Sequence, residues 1–212
     1  MADNGWRRAV RGRRLAVSGL LLAACWRLAD YLPFNPGMQS ESRQVRLLIA
    51  DQETTRVEKV IRTAVRDRIV YGNLGPVTDV AEVTGKDTTH RYYRRKKDGV
   101  WLLWETLGEK PDSAHVLPAM PAPGQVWTFR SRVKTAIACT VAARVTETVP
   151  AGTFRNCLEV RFLFSGVDGA TETRWFAPNV GVIRDEYRRI QERDGRVFQE
   201  LSMTELLNFR PR

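Results

Sequence analysis

From about residue 88 to residue 206, apolar side chains recur in short alternating runs separated by turn sequences. This is the signature of antiparallel strands with one buried face. Asp98-Gly99 lies between Arg91–Lys97 and Val100–Glu105, and Pro150-Ala-Gly-Thr153 divides two longer alternating runs. Asp168-Gly169 and Asp194-Gly195 mark two further turns. With residues 150–153 as the loop, Val149 falls opposite Phe154. Leu158, Val160, Phe162 and Phe164 then face Val145, Ala143, Val141 and Cys139. Every one of those pairs is apolar, which is how a half-buried hairpin holds its register. In that register Cys139 and Cys157 lie seven residues apart along the strands, about 20 Å at the usual rise. A disulfide tolerates roughly 7 Å between Cα atoms, so the two are expected not to pair. Cys157, on the opposite face, is the more reactive thiol expected.

With Asp98-Gly99 as a two-residue turn, Tyr93 faces Trp104 and Lys96 faces Trp101, a cation–π pair. Val100–Trp104 is apolar on both faces, so that strand requires cover on both sides. The segment Glu53–Val70 reads differently. Val57, Val60, Ile61, Ala64, Val65 and Ile69 fit one face of an amphipathic helix, and a short helix is expected near residues 53–70. The subset Val57, Ile61, Val65 and Ile69 is equally compatible with strands.

The amino terminus changes the picture from fold to location. Arg7, Arg8, Arg11, Arg13 and Arg14 precede a ten-residue apolar run, Leu15–Ala24, and Cys25 follows. A basic region and a short apolar region ending in small residues form a secretory signal. The run is too short for a bilayer span, which takes about 20 residues. Leu22-Ala-Ala-Cys25 matches a bacterial lipobox, in which the cysteine thiol receives diacylglycerol. Residues 1–24 are therefore expected to be a signal peptide and residues 25–212 a single β-rich domain, lipidated on Cys25 and held to an extracytoplasmic membrane surface. Trp26, Leu28, Tyr31, Leu32 and Phe34 follow almost at once, so the domain sits close to its anchor. The formal charge of +10 includes +4 from five arginines and Asp3 within the first 24 residues, which leaves +6. That bias suits an anionic membrane surface or simple solubility. With no nucleic-acid-binding motif present, nucleic acid is not an expected partner.

Four motifs occur in a fixed order: Asp30-Tyr-Leu-Pro-Phe-Asn-Pro-Gly37, Met120-Pro-Ala-Pro-Gly-Gln-Val-Trp-Thr128, Val149-Pro-Ala-Gly-Thr-Phe154 and Trp175-Phe-Ala-Pro-Asn-Val-Gly-Val-Ile183. Together, over roughly residues 30–206, they resemble a family of exported, β-rich bacterial domains, many of them lipoproteins. More distantly the pattern is similar to the half-barrels of lipoprotein-localisation carriers. The resemblance implies a mainly β fold, a curved antiparallel sheet shaped like a half-barrel. Here Met38-Gln-Ser-Glu-Ser-Arg43 replaces the family's Trp-rich first strand.

Catalytic signatures are sparse. The chain has two histidines, His90 and His115, and no HExxH, CxxC, G-x-S-x-G or phosphate-binding Gly-rich loop. Asp112-Ser-Ala-His115 has triad residue types at a spacing that does not by itself make a triad. Glu159, Asp185 and Glu186 read as charges on strand surfaces. Arg94-Arg-Lys-Lys97 reads as a solvated hairpin tip, with anionic lipid headgroups as a second option. No enzymatic activity, cofactor or metal is expected. The expected function is an exported, lipid-anchored binding module for an apolar ligand or lipid, with Val141, Val145, Val160, Phe162 and Phe164 as the ligand face. The alternative is a structural or assembly component that contacts another envelope protein.

Overall fold

The computed structural model describes residues 30–50, 53–70, 75–103, 113–130, 135–166 and 169–211. The expected signal peptide and Cys25 lie outside these residues, as does Trp104. Twelve strands follow one another: β1 (Gln39–Ala50), β2 (Glu53–Val70), β3 (Pro76–Thr84), β4 (Asp87–Lys96), β5 (Gly99–Leu103), β6 (Ser113–Pro118), β7 (Val126–Arg130), β8 (Ala136–Val149), β9 (Gly152–Phe164), β10 (Thr171–Ala177), β11 (Gly181–Arg193) and β12 (Arg196–Arg210). They form one antiparallel sheet in the order β6-β5-β4-β3-β2-β1-β12-β11-β10-β9-β8-β7. The first and last strands pair in the middle of the sheet, and β6 and β7 are its edges. Twist and curl bring those edges together, so the sheet nearly closes into a barrel. The Trp127 indole N–H donates to the His115 carbonyl across the remaining gap at 2.8 Å. His115 itself stacks on Trp101 with ring centroids 4.7 Å apart.

No helix occurs among the described residues, and the helix expected near residues 53–70 is strand β2. Its register runs without a break against β1, from Gln39 opposite Ala64 to Ala50 opposite Glu53. The four-residue spacing of Val57, Ile61 and Val65 is a multiple of two, so it also puts them on one face of a strand. Half of the segment is Val, Ile or Thr, residues that lose side-chain freedom in a helix and pack well on a pleated surface.

Both hairpin registers differ from expectation. In the β8–β9 hairpin Val149 pairs with Gly152, so the turn is Pro150-Ala151 and the loop is two residues shorter than expected. Bulges between Val141 and Ala143 and between Val145 and Glu147 shift the pairing by one residue over Ala143–Val145, giving Cys157 opposite Val145, and cancel beyond it, so Val141 falls opposite Val160 and Cys139 opposite Phe162 in the register that the turn sets. One added residue per bulge moves the register in a way no alternation count reveals. In the β4–β5 hairpin Lys96 pairs with Gly99, which makes Lys97-Asp98 the turn. The Lys96–Trp101 contact survives as a diagonal neighbour, with the ammonium 4.0 Å from the ring centroid. Gly99 is required at its position. At φ 147° an added Cβ would stand 2.1 Å from the Leu117 carbonyl oxygen, closer than any real contact.

Two apolar clusters hold the barrel. The larger joins Tyr31, Leu117, Ile137, Cys139, Val141, Leu158, Val160, Phe162 and Phe176, with Leu32, Trp127, Phe129 and Phe164 packed around them. The smaller joins Val149, Cys157, Ala177, Ile183 and Leu206, where the β8–β9 turn reaches β12 and the Ala151 N–H donates to the Leu206 carbonyl at 3.0 Å. Cys139 and Cys157 are both free and both fully buried, one in each cluster. Cys157, expected to be the more reactive thiol, is as deeply buried as Cys139. Burial pushes both thiols up, Cys139 to about 12.

A strap formed by residues 30–38 crosses the barrel and ties its two halves. Asp30 accepts from Arg95 at 2.8 and 3.0 Å, and its backbone carbonyl accepts from the Asn179 N–H at 2.6 Å. Tyr31 enters the larger cluster, donates to the Asn156 carbonyl at 3.0 Å and accepts from Arg144. Phe34 stacks on Tyr93 with centroids 4.8 Å apart.

Candidate functional site

The strap and the large cluster fill one part of the barrel interior and leave another part open. Pairing registers align Val160, Arg174, Asp185, Thr204 and Gln44 in one row across β9, β10, β11, β12 and β1. All but the first are polar, so where the larger cluster ends the inner surface turns hydrophilic. Opposite, β3 and β4 contribute Glu82, Arg91 and Tyr93. These groups surround a concavity of about 270 Å³, whose remaining wall includes Phe34, Ile61, Val65, Val80, Ile183 and Phe209. The lining contains neither histidine nor cysteine.

The charges in the concavity are arranged in pairs. Arg174 binds Glu172 on its own strand and Asp185 on the next, the latter at 3.3 Å, and lies 4.9 Å from the Phe162 ring centroid. Arg91 pairs with Glu82 at 2.9 Å and hydrogen-bonds Tyr93. Arg91 and Arg174 feel one another's charge across the space, so the two pairs converge. Although they sit deep, the Arg174 and Asp185 side chains keep 28% and 27% of their surface accessible, and Arg91 keeps 47%. Charged groups that are deep yet reachable line an open concavity rather than a sealed core.

Burial pushes the Asp185 carboxyl up to about 7; Arg174 opposes the shift and Glu172 adds to it. A carboxyl raised from 3.8 in the folded state stabilises the fold fully below that value. The contribution is lost as pH rises through about 7. Asp185→Asn should therefore stabilise the protein at pH 8 by roughly 1–3 kcal/mol and change little at pH 4. Urea denaturation of both proteins across that range tests the point, and parallel pH profiles would refute it.

The residues expected to face an apolar ligand are placed elsewhere. Val141, Val160 and Phe162 are buried in the larger cluster, against Tyr31, Leu158 and Phe176, with Phe164 at its margin. Val145 packs against the smaller cluster. Protein atoms cover this face, and the cover comes from the strap and from β6 and β10, whereas Glu53–Val70 pairs in the sheet. Asp185, read from sequence as a surface charge, lines the concavity. The signal for it was present in Glu172-Thr-Arg-Trp-Phe176, where Glu172 and Arg174 alternate in phase with the buried Phe176. A strand with charges in phase with its core residue faces a polar interior.

Other candidate groups serve structure. His90 pairs with Asp79 at 2.9 Å. His115 is engaged with Trp101 and Trp127. Within Arg94–Lys97, Arg95 is held by Asp30 and the Leu32 carbonyl, and Lys96 lies on Trp101. Among the described residues no group of His, Cys, Asp and Glu is arranged to hold a metal ion.

No protein-family profile and no curated protein sequence matches the chain. Three solved structures are similar to it. A protein with a YMCC-like fold from Bacteroides fragilis NCTC 9343, provisionally named an exported protein, is 14% identical with a TM-score of 0.49, over 86% of this chain and 100% of that one. A provisionally named lipoprotein from Parabacteroides distasonis ATCC 8503 is 16% identical with a TM-score of 0.45, over 86% and 99%. A DUF1329 family protein from Desulfovibrio piger ATCC 29098 is 10% identical with a TM-score of 0.25, over 84% and 87%. All three are β-rich bacterial proteins, the kind to which the four ordered motifs pointed.

Proposed function

We propose that this protein is an exported, non-catalytic binding module, anchored through a lipid on Cys25, whose ligand occupies the open concavity beneath the strap. The observation that carries the reading is the concavity itself: about 270 Å³ of accessible space beside the packed clusters, lined by inward polar and apolar side chains together. Its lining is amphipathic. An apolar ligand or lipid moiety lies against Phe34, Ile61, Val65 and Val80, while its polar end meets the paired charges of β4, β10 and β11. The absence of histidine and thiol from the lining and the pairing of its charges favour binding over catalysis. Asp30 follows Cys25 by only five positions, about 18 Å when fully extended, so the strap side of the barrel faces the membrane.

Native mass spectrometry of membrane-extracted protein should show a diacylglycerol adduct on Cys25 and a co-purifying ligand. Cys25→Ser should abolish the adduct and move the protein from the membrane to the soluble envelope fraction. An unmodified Cys25 in the native host overturns the anchor, and a ligand-free barrel that takes up no apolar probe overturns the binding module. A second reading, an assembly component that contacts another envelope protein, is favoured by the projecting β1–β2 and β11–β12 hairpins. There Leu48, Val57, Val197 and Phe198 are exposed.

A further inference from the structure

The geometry points to a ligand whose polar end is uncharged and rich in hydroxyl groups, recognised by Arg174, Asp185, Gln44 and Thr204. This rests on the reading of the concavity as a binding site and names the chemistry that the site accepts. Within it, Arg91 is offset by Glu82 and Arg174 by Glu172, and Asp185 shares Arg174. An anionic head entering the space would have to displace a carboxylate from a guanidinium or lie beside three carboxylates. A cationic head would have to lie between two guanidiniums. Either leaves a charge without compensation in a partly desolvated space, which is costly.

A hydroxyl meets both needs at once. It donates to a carboxylate oxygen and accepts from a guanidinium N–H, without breaking either ion pair. The neutral part of the lining supports the same choice. Gln44 donates to the Thr204 hydroxyl at 3.3 Å, leaving the Gln44 carbonyl and the Thr204 proton for a ligand. Burial pushes the Asp185 carboxyl up, which favours its neutral form and brings the cluster closer to neutral overall. The space falls just below the usual 300–1,000 Å³ of drug-sized pockets. It therefore suits one small polar head, with the rest of the molecule along Phe34 and Ile61.

The test uses the full chain carrying Cys25→Ser, expressed with its export signal, and three amphiphiles of one chain length below their micelle concentrations: decyl glucoside, decyl phosphate and decyltrimethylammonium. Calorimetry at pH 7 should show decyl glucoside binding at least about tenfold more tightly than either charged probe, the equivalent of losing one hydrogen bond to a charged group. Arg174→Gln should weaken glucoside binding by about the same factor. Gln44→Ala, distant from the ion pairs, should weaken it too and serves if Arg174→Gln does not fold. Equal binding of all three probes overturns the inference and leaves the binding module standing, as does tighter binding of the phosphate or the ammonium. Failure of every probe to bind overturns the binding module itself.

Discussion

Phe176→Ala is expected to lower the unfolding free energy by about 3–5 kcal/mol, the usual range for deleting a buried aromatic ring. Phe176 has no exposed surface and is the largest fully buried side chain among the described residues. It pairs with Leu158 on β9 and Val182 on β11, beside a bulge at Ile183 of β11. Sheet backbone on two sides limits how far the site can collapse, which puts the cost in the upper part of that range. For a domain of this size each kcal/mol shifts the melting temperature by about 2–4 °C, so a fall on the order of 10 °C is expected. Leu163→Ala is the control, because Leu163 is 56% exposed on the outer face of β9, and it should cost less than about 1 kcal/mol. Equal losses for the two variants would show that the core does not lie where the structure puts it.

Tyr31→Ala should cost about as much, for a different reason. Its ring belongs to the larger cluster, and its hydroxyl links the strap to the Asn156 carbonyl and to Arg144. Truncation removes the ring, orphans one carbonyl and leaves Arg144 held by the Pro121 carbonyl alone among these contacts. We expect a loss of about 3–5 kcal/mol for Tyr31→Ala and of about 1–2 kcal/mol for Tyr31→Phe, which removes only the hydrogen bonds. Limited proteolysis distinguishes the two, since only the alanine variant should release residues 30–38 to cleavage while the sheet stays intact. If the strap stays protected in Tyr31→Ala, then the Asp30–Arg95 and Phe34–Tyr93 contacts hold it without the tyrosine.

The turns and the alternation of residues 88–206 were legible because each hairpin is local, with its two strands separated by a few residues and one face buried. Register was legible only approximately. The β8–β9 bulges near Val141 and Val145 and the left-handed Asn156 at φ 58° answer to the curvature of the whole sheet. The fate of Glu53–Val70 was hidden for a related reason. An i, i+4 apolar spacing satisfies a helix and a strand alike, and the partner that decides between them, β1, is polar over its first half: Ser40, Ser42 and Gln44 line the concavity. The site was hidden more deeply still, because Arg91, Arg174 and Asp185 come from three strands and each alone reads as a surface charge.

By itself, the sequence determined the β class through its two-residue alternation, the separation of Cys139 from Cys157 and the Lys96–Trp101 contact, all matters of spacing along a short stretch of chain. Only the tertiary structure decided that β1 and β12 pair to turn two meanders into one nearly closed barrel. It also decided that the strap around Tyr31 covers the apolar face of β8 and β9, and that inward charges from β3, β4, β10 and β11 meet in a concavity. Those outcomes depend on which surfaces the closing sheet brings together, and contacts made across a barrel leave no periodic trace in any of the strands that make them.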